Sequence, residues 1–278
     1  MPDLDPRITP ARADLAAKSL EGKVSAARFL DGCLMEIIEP QAPLRREPRP
    51  DAALDTEAIK GERVTIYDSN DEGWAWGQLE ADGYVGWLPA QALGPVGPAP
   101  THKVTALRTL VFPGPSIKLP PLEMLPFGAK LTIARIEDRL AVTSAGAYVP
   151  AMHLKPIGDN ETDFVAVAER FLGTPYLWGG KTSLGLDCSG LVQVSLTACS
   201  VNGPRDSDMQ ERALGKQVTA NFHRGDLIFW KGHVAIARDA ATLIHANAYH
   251  MAVAIEPIAE AIARIKAAGN DVTSVRRL

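Results

Sequence analysis

An internal repeat constrains the first half of this chain more than any other feature. Residues 88–97 (LPAQALGPVG) match residues 149–158 (VPAMHLKPIG). Short β-rich segments separated by Asp, Asn and Gly turns precede the first repeat, a pattern typical of small β-barrels. The repeat therefore predicts two copies of one small β-module, at residues 31–97 and 98–157.

The sequence before the first module, residues 1–30, contains one helical candidate. Thr9 is placed to cap a helix that runs to Leu20, with Pro10 at the favoured first helical position. We therefore predict an N-terminal helical extension.

After residue 158 the pattern changes from strands to helices. Apolar side chains recur at helical spacing from 163 to 172, capped by Thr162, and a second helix is predicted from Cys188. The remaining predicted elements are strands at 227–230, 233–237, 242–246 and 272–276 and a helix at 258–268. Helices followed by antiparallel strands predict an α+β domain at 158–278.

Bulk properties limit the classes of function. The chain has 278 residues, a net charge of -4 and no basic block, which argues against a nucleic-acid partner. No apolar run approaches the roughly 18 residues of a membrane helix. Three cysteines are too few for a disulfide framework, and the chain does not begin like a secretory signal. We expect a cytoplasmic monomer with no membrane partner and no cofactor.

Cys188 is the candidate nucleophile. It lies in the predicted first turn of a helix, where free backbone amides favour a thiolate. His233 and His245 lie on neighbouring predicted strands, which would place their rings side by side as base and orienting group. The alternatives are a buried structural cysteine, an exposed turn histidine at 233, and a zinc site formed by these three residues. No CxxC or HxxxH spacing supports the zinc site, so we predict no metal.

Six motifs in order make residues 160–278 resemble the NlpC/P60 cysteine peptidases. They are residues 176–180 (YLWGG), 186–193 (LDCSGLVQ), 204–210 (PRDSDMQ), 224–229 (RGDLIF), 232–236 (GHVAI) and 244–246 (IHA). The resemblance implies a papain-like core that hydrolyses peptidoglycan stem peptides. It also implies Cys188, His233 and His245 as the catalytic triad and Tyr176 near the oxyanion site. Trp178 is expected to line the cleft.

The β-modules resemble bacterial SH3b domains, whose signature matches residues 82–87 (DGYVGW). Two SH3b modules before an NlpC/P60 domain resemble the γ-D-glutamyl-L-diamino acid endopeptidases. That resemblance implies cleavage between γ-D-Glu and the diamino acid of stem peptides that have a free N-terminal L-Ala. It also implies that the first module closes one end of the cleft.

The same resemblance implies contacts to the L-Ala-γ-D-Glu part of the substrate. Asp206 and Ser207 are expected to bind it together with Tyr84 and one acidic residue of the first module. Glu57 is the candidate acid, and the alternatives are Glu36, Glu62 and Glu72.

Three more residues complete the predicted substrate contacts: Asp187, Ser189 and Arg205. An ammonium group is recognised by a carboxylate in a partly desolvated pocket, which Asp187 could provide. The alternative for Asp187 is a helix N-cap, and Asp206 with Ser207 could likewise begin a helix.

Together these features predict a cytoplasmic cysteine peptidase that trims wall-derived muropeptides during recycling. One rival is an exported lytic endopeptidase anchored to the wall by its SH3b modules. A non-catalytic wall-binding protein would need a broken triad, and an acyltransferase on the same core would show a rearranged motif order.

Overall fold

Two units make up the computed structural model, Met1–Gly158 and Asp159–Leu278. It describes residues 4–219 and 221–278, so residues 1–3 of the predicted extension and residue 220 lie outside the described residues. Each unit is built around its own sheets.

The predicted N-terminal helix is wrong. The segment is extended, with a two-residue parallel pair of β1 (Ala16–Ala17) and β2 (Phe29–Leu30) and a 3₁₀ turn at Lys18–Leu20. The Arg12 guanidinium lies 4.6 Å from the centre of the Trp76 ring, and Leu15 is fully buried. These tertiary contacts outweigh the local capping signal of Thr9 and Pro10.

The first module is a seven-stranded antiparallel sheet in the order β5-β4-β8-β7-β6-β3-β9. Its strands are β3 (Cys33–Ile37), β4 (Gln41–Arg45), β5 (Leu54–Ile59), β6 (Arg63–Ser69), β7 (Trp74–Leu79), β8 (Val85–Pro89) and β9 (Leu93–Pro95). Alternate residues of β4 enter the core, namely Ala42 and Leu44. Gly77 is required where β6 and β7 meet, because a Cβ there would lie 2.6 Å from the Thr65 carbonyl oxygen.

Residues 102–156 form three small antiparallel sheets with orders β13-β10-β17, β11-β12 and β14-β15-β16. The strands are β10 (His102–Val104), β11 (Arg108–Val111), β12 (Glu123–Pro126), β13 (Lys130–Leu131), β14 (Ile133–Glu137), β15 (Leu140–Thr143), β16 (Tyr148–Pro150) and β17 (Leu154–Pro156). The sequence repeat corresponds to a structural one. In both halves a strand that ends in proline leads into a 3₁₀ helix, Ala90–Ala92 or Ala151–His153, and then a short strand. That residues 98–157 are a second SH3b domain stays a prediction.

The second unit has the predicted α+β class. Its helices are α1 (Phe164–Arg170), α2 (Cys188–Ala198), α3 (Ser207–Ala213) and α4 (Ile258–Ala267). Its strands are β18 (Lys181–Thr182), β19 (Gly185–Leu186), β20 (Lys216–Gln217), β21 (Leu227–Trp230), β22 (His233–Ala237), β23 (Thr242–Asn247), β24 (Ala252–Pro257) and β25 (Val272–Arg277). Six of them form one antiparallel sheet in the order β20-β25-β21-β22-β23-β24.

Helix α2 is the central element of this unit. Leu191, Val192 and Leu196 are at most 1 % exposed, and the helix packs against α1, β22 and β23. The predicted Thr162 cap of α1 is wrong by one residue, since the Asp163 carboxylate accepts the Val165 and Ala166 amides. None of the helices in the described ranges is long and apolar enough to cross a membrane.

Candidate active site

Cys188 is the first residue of α2 and only 7 % exposed. Asp187 caps this helix, with its Oδ1 accepting the Gly190 amide at 2.6 Å. The preceding loop packs tightly on the helix, because a Cβ on Gly190 would lie 2.3 Å from the Gly180 carbonyl oxygen. The glycine-rich loop before α2 therefore fixes the backbone that carries the Cys188 thiol.

His233 and His245 are hydrogen-bonded to each other, as the strand pattern predicts. Ile236 of β22 pairs with Ile244 of β23, so the two histidines are diagonal neighbours on one face of the sheet. The distance from His233 Nε2 to His245 Nδ1 is 2.8 Å. The Nδ1 atom of His233 is therefore the ring nitrogen left for another partner.

Helix α2 brings Cys188 to the start of β22. The backbone N–H of Val234, the residue after His233, hydrogen-bonds to the Cys188 sulfur. The structure thus places Cys188 on α2, His233 on β22 and His245 on β23 in succession. Their catalytic roles are a proposal.

Burial determines the protonation states of Cys188 and His233 in the free protein. It raises the pKa of Cys188 to about 12, and the neighbouring Asp187 charge acts in the same direction. Burial also lowers the pKa of His233 to about 3. The expected preference for a thiolate at the helix N-terminus is outweighed, so the Cys188 thiol and the His233 imidazole are both neutral.

This pairing predicts how Cys188 reactivity depends on pH. A base whose pKa is lowered stays neutral as the pH falls, so His233 should still accept the thiol proton at about pH 5. Alkylation of Cys188 by iodoacetamide should then stay within about threefold between about pH 7 and about pH 5, whereas an unassisted thiol loses about tenfold per pH unit. Mass spectrometry of the digested protein measures the alkylation of Cys188, and the exposed Cys33 serves as the internal reference. Parallel decline of both thiols would show that His233 does not assist.

Glu256 continues this series of hydrogen bonds beyond His245. The His245 Nε2 atom lies 2.7 Å from Glu256 Oε1, and the same carboxylate oxygen accepts from Arg264. The two partners hold the pKa of Glu256 down at about 2, against the opposing effect of burial. Sequence reasoning missed both residues because β24 was not predicted. The available signal was a lone carboxylate ending the apolar run 252–255.

Tyr176 lies beside the same thiol. Burial is the main cause that raises the pKa of its phenol to about 12, and the nearby Cys188 and Asp187 add to it. The hydroxyl thus stays protonated and can donate a hydrogen bond, as the predicted oxyanion role requires. Trp178 is 67 % exposed in the same loop. Its role as a cleft wall stays a prediction.

Asp187, Ser189 and Arg205 form one buried network. The Arg205 side chain makes two short contacts with the Asp187 carboxylate, at 2.9 and 2.7 Å, and a third with Ser189 Oγ at 3.0 Å. Arg205 is 1 % exposed. The structure therefore gives all three residues an internal partner, and their contact with substrate stays a prediction.

Asp206 and Ser207 begin α3. Asp206 is its N-cap residue, and Ser207 is 8 % exposed. Gln210 ties this helix to α2, because its Nε2 donates to the Ser189 carbonyl at 2.9 Å. The expected helix start is present, and the substrate role of the two residues stays a prediction.

The remaining candidates belong to the first unit. Glu57 on β5 and Tyr84 before β8 are 5 % and 4 % exposed. Tyr84 lines a cavity of about 740 Å³ together with Trp76 and Trp87. Glu62 accepts the Ile59 amide at 2.9 Å, Glu36 accepts the Gly97 amide at 3.3 Å, and Glu72 is exposed. That Glu57, or one of the alternatives Glu36, Glu62 and Glu72, contacts a substrate amine stays a prediction.

Metal-ligand chemistry is possible at one place. His245, His250 and Glu256 offer atoms within 4.8 Å of one another. Two of them are already joined by the hydrogen bond between His245 and Glu256. This cluster includes His245 but neither Cys188 nor His233, so it differs from the zinc site considered from the sequence.

Residues 173–269 match the model of the NlpC/P60 family, a range that contains Cys188 and both histidines. The chain carries an NlpC/P60 cysteine peptidase domain. Residues 44–93 match the model described as the bacterial dipeptidyl-peptidase Sh3 domain, which lies within the first β-module. The predicted family and fold class are thereby confirmed.

Two curated relatives extend over most of the chain. A γ-D-glutamyl-L-lysine dipeptidyl-peptidase of Bacillus cereus is 27 % identical over 248 residues, covering 74 % of this chain and 71 % of the relative. The protein of the same name from Bacillus subtilis is 28 % identical over 238 residues, covering 76 % and 78 %. The crystal structure of an NlpC/P60 family protein from Bacillus cereus has a TM-score of 0.75 at 23 % identity and covers 88 % of this chain and 99 % of that one. That likeness shows a shared fold.

Proposed function

We propose that this protein is a cysteine endopeptidase that cleaves the γ-D-glutamyl–L-diamino acid bond of peptidoglycan stem peptides. The substrate would carry a free N-terminal L-Ala, and the role would be muropeptide recycling in the cytoplasm. One observation carries the chemistry: a buried thiol at the start of α2 lies beside a chain of two hydrogen-bonded histidines.

In this mechanism the thiol proton passes from Cys188 to Nδ1 of His233 while sulfur attacks the γ-carbonyl carbon. Tyr176 and backbone amides near Cys188 stabilise the oxyanion. His233 then returns the proton to the departing α-amine of the diamino acid, which leaves a thioester on Cys188. Water, deprotonated by His233, hydrolyses the thioester and restores the thiol.

The similarity to γ-D-glutamyl-L-lysine dipeptidyl-peptidases over both the SH3 and the peptidase regions supports the choice of bond. Asp206 and Ser207, at the start of α3, would bind the L-Ala-γ-D-Glu part of the substrate. The relatives' name points to lysine at the diamino position, and diaminopimelate is the other natural candidate.

Acetylation of the substrate tests this proposal. We expect L-Ala-γ-D-Glu-L-Lys or its diaminopimelate counterpart to be cut at the γ-glutamyl bond, with a loss of at least about 100-fold in kcat/KM when the amine is acetylated. The loss follows because a carboxylate built to pair with an ammonium group would be left buried and unpaired. Mass spectrometry of the products measures both rates. Equal rates would reject the free-amine requirement, and preference for intact sacculi would favour a lytic wall enzyme.

A further inference from the structure

We propose that Glu256 is a positioning residue that sets the proton positions on both active-site histidines, so that the unprotonated Nδ1 of His233 faces the thiol. Arg264 holds the carboxylate in place. The inference rests on the proposed role of Cys188 as nucleophile. It extends the site by one strand and one helix beyond the three residues that the sequence motifs indicate.

The donor and acceptor of each hydrogen bond in this series follow from the ionised carboxylate of Glu256. An ionised carboxylate can only accept, so His245 must donate to Glu256 Oε1 from Nε2. A neutral His245 then has its lone pair on Nδ1, which can only accept from Nε2–H of His233. A neutral His233 consequently has its lone pair on Nδ1. Glu256 thus determines which nitrogen of His233 can act as the base.

The sheet keeps these three side chains in line. On β23, His245 pairs with Ala254 of β24, so Glu256 is its diagonal neighbour on the same face. His233 occupies the matching diagonal position on β22. His245 is 1 % exposed, and the Glu256 side chain is 10 % exposed. Water therefore competes weakly for these hydrogen bonds, and rotation of either ring would leave a buried polar atom unsatisfied.

Arg264 explains why Glu256 stays ionised in this setting. Its guanidinium bonds the same Oε1 atom and lies 4.2 Å from the centre of the Tyr249 ring. The stacked guanidinium has a fixed orientation, so it holds the carboxylate toward His245. Its positive charge also opposes protonation of the histidines, which the negative charge of Glu256 favours.

Several charged or titratable groups surround the hydrogen-bonded series formed by His233, His245 and Glu256. They are Tyr176 in the loop before α2, Cys188 and Asp187 at the start of α2, Arg205 before α3, His250 after β23, Glu256 near the end of β24 and Arg264 on α4. When His233 accepts the thiol proton, its new charge is stabilised through His245 by the carboxylate. No proton needs to move onto Glu256 for this stabilisation.

The isosteric Glu256→Gln variant tests the inference. A side-chain amide can donate as well as accept, so it no longer enforces one tautomer of His245. We expect alkylation of Cys188 by iodoacetamide at about pH 6 to slow by about 10- to 100-fold, by analogy with the loss of the carboxylate partners that orient metal-bound histidines. The rate should also become steeper with pH as the assistance of His233 is lost. Glu260→Gln, an exposed position on α4, is the matched control and should keep the wild-type rate.

Arg264→Met separates this role from that of a structural ion pair. It removes the guanidinium but leaves the Glu256 carboxylate diagonal to His245 on β24, where it can still accept from Nε2, so alkylation should slow less than in Glu256→Gln. An equal slowing in both variants, or a wild-type rate in Glu256→Gln, would overturn the inference. Thermal unfolding of each variant shows whether it is folded. The alkylation assay needs no peptide, so failure to cleave the tripeptide would reject the proposed function and leave this test intact.

Discussion

Cys188→Ala is expected to lower kcat/KM for the tripeptide by at least about 10⁴-fold, as loss of a catalytic nucleophile does in other hydrolases. Without the sulfur no thioester can form, and the buried site around residue 188 has no other described thiol. Cys188→Ser should be nearly as inactive, because a hydroxyl is a far weaker nucleophile for an imidazole that burial keeps poorly basic.

Cys199→Ser provides the matched control, since this half-buried thiol caps the other end of the same helix. It should retain wild-type cleavage in the same mass-spectrometric assay. Both variants should unfold near the wild-type temperature, because each replaces one small side chain. Retained hydrolysis in folded Cys188→Ala would reject the thioester mechanism.

The convergence of Cys188, His233 and His245 could be predicted from sequence, because these residues occupy positions that local patterns define. A cysteine after a glycine-rich loop lies at a helix start, and two histidines in apolar runs lie on neighbouring strands. The periodicities placed α2, β22 and β23 within two or three residues of their observed bounds. Capping by Asp187 was likewise expected as an alternative to substrate contact.

The failures share a physical cause, which is that distant contacts decided the local structure. Residues 10–20 carry helix-start signals, yet the stacking of Arg12 on Trp76 and the burial of Leu15 keep this segment extended. Glu256 and Arg264 look like ordinary surface charges in sequence. Only the pairing of β23 with β24 brings that carboxylate to His245.

Arg205→Met is expected to destabilise the fold by about 3–5 kcal/mol, because it leaves the Asp187 carboxylate without the partner that offsets its burial. The Arg205 side chain is fully buried and also bonds Ser189. Thermal and urea unfolding of the full chain measure the loss. Arg212→Met is the matched control, since its pair with Asp208 at 3.0 Å is exposed and should be worth at most about 0.5 kcal/mol.

The double variant Asp187→Asn/Arg205→Met shows where the penalty comes from. If the uncompensated carboxylate is the main cost, removing both charges should destabilise less than the sum of the two single changes. The carboxylate also accepts the Gly179 and Gly190 amides, so Asp187→Asn alone should loosen the start of α2 and slow Cys188 alkylation. A direct substrate role for Arg205 requires a different outcome: a raised KM with an unchanged unfolding temperature. The two readouts therefore decide whether this arginine supports the helix that carries the nucleophile or binds the peptide itself.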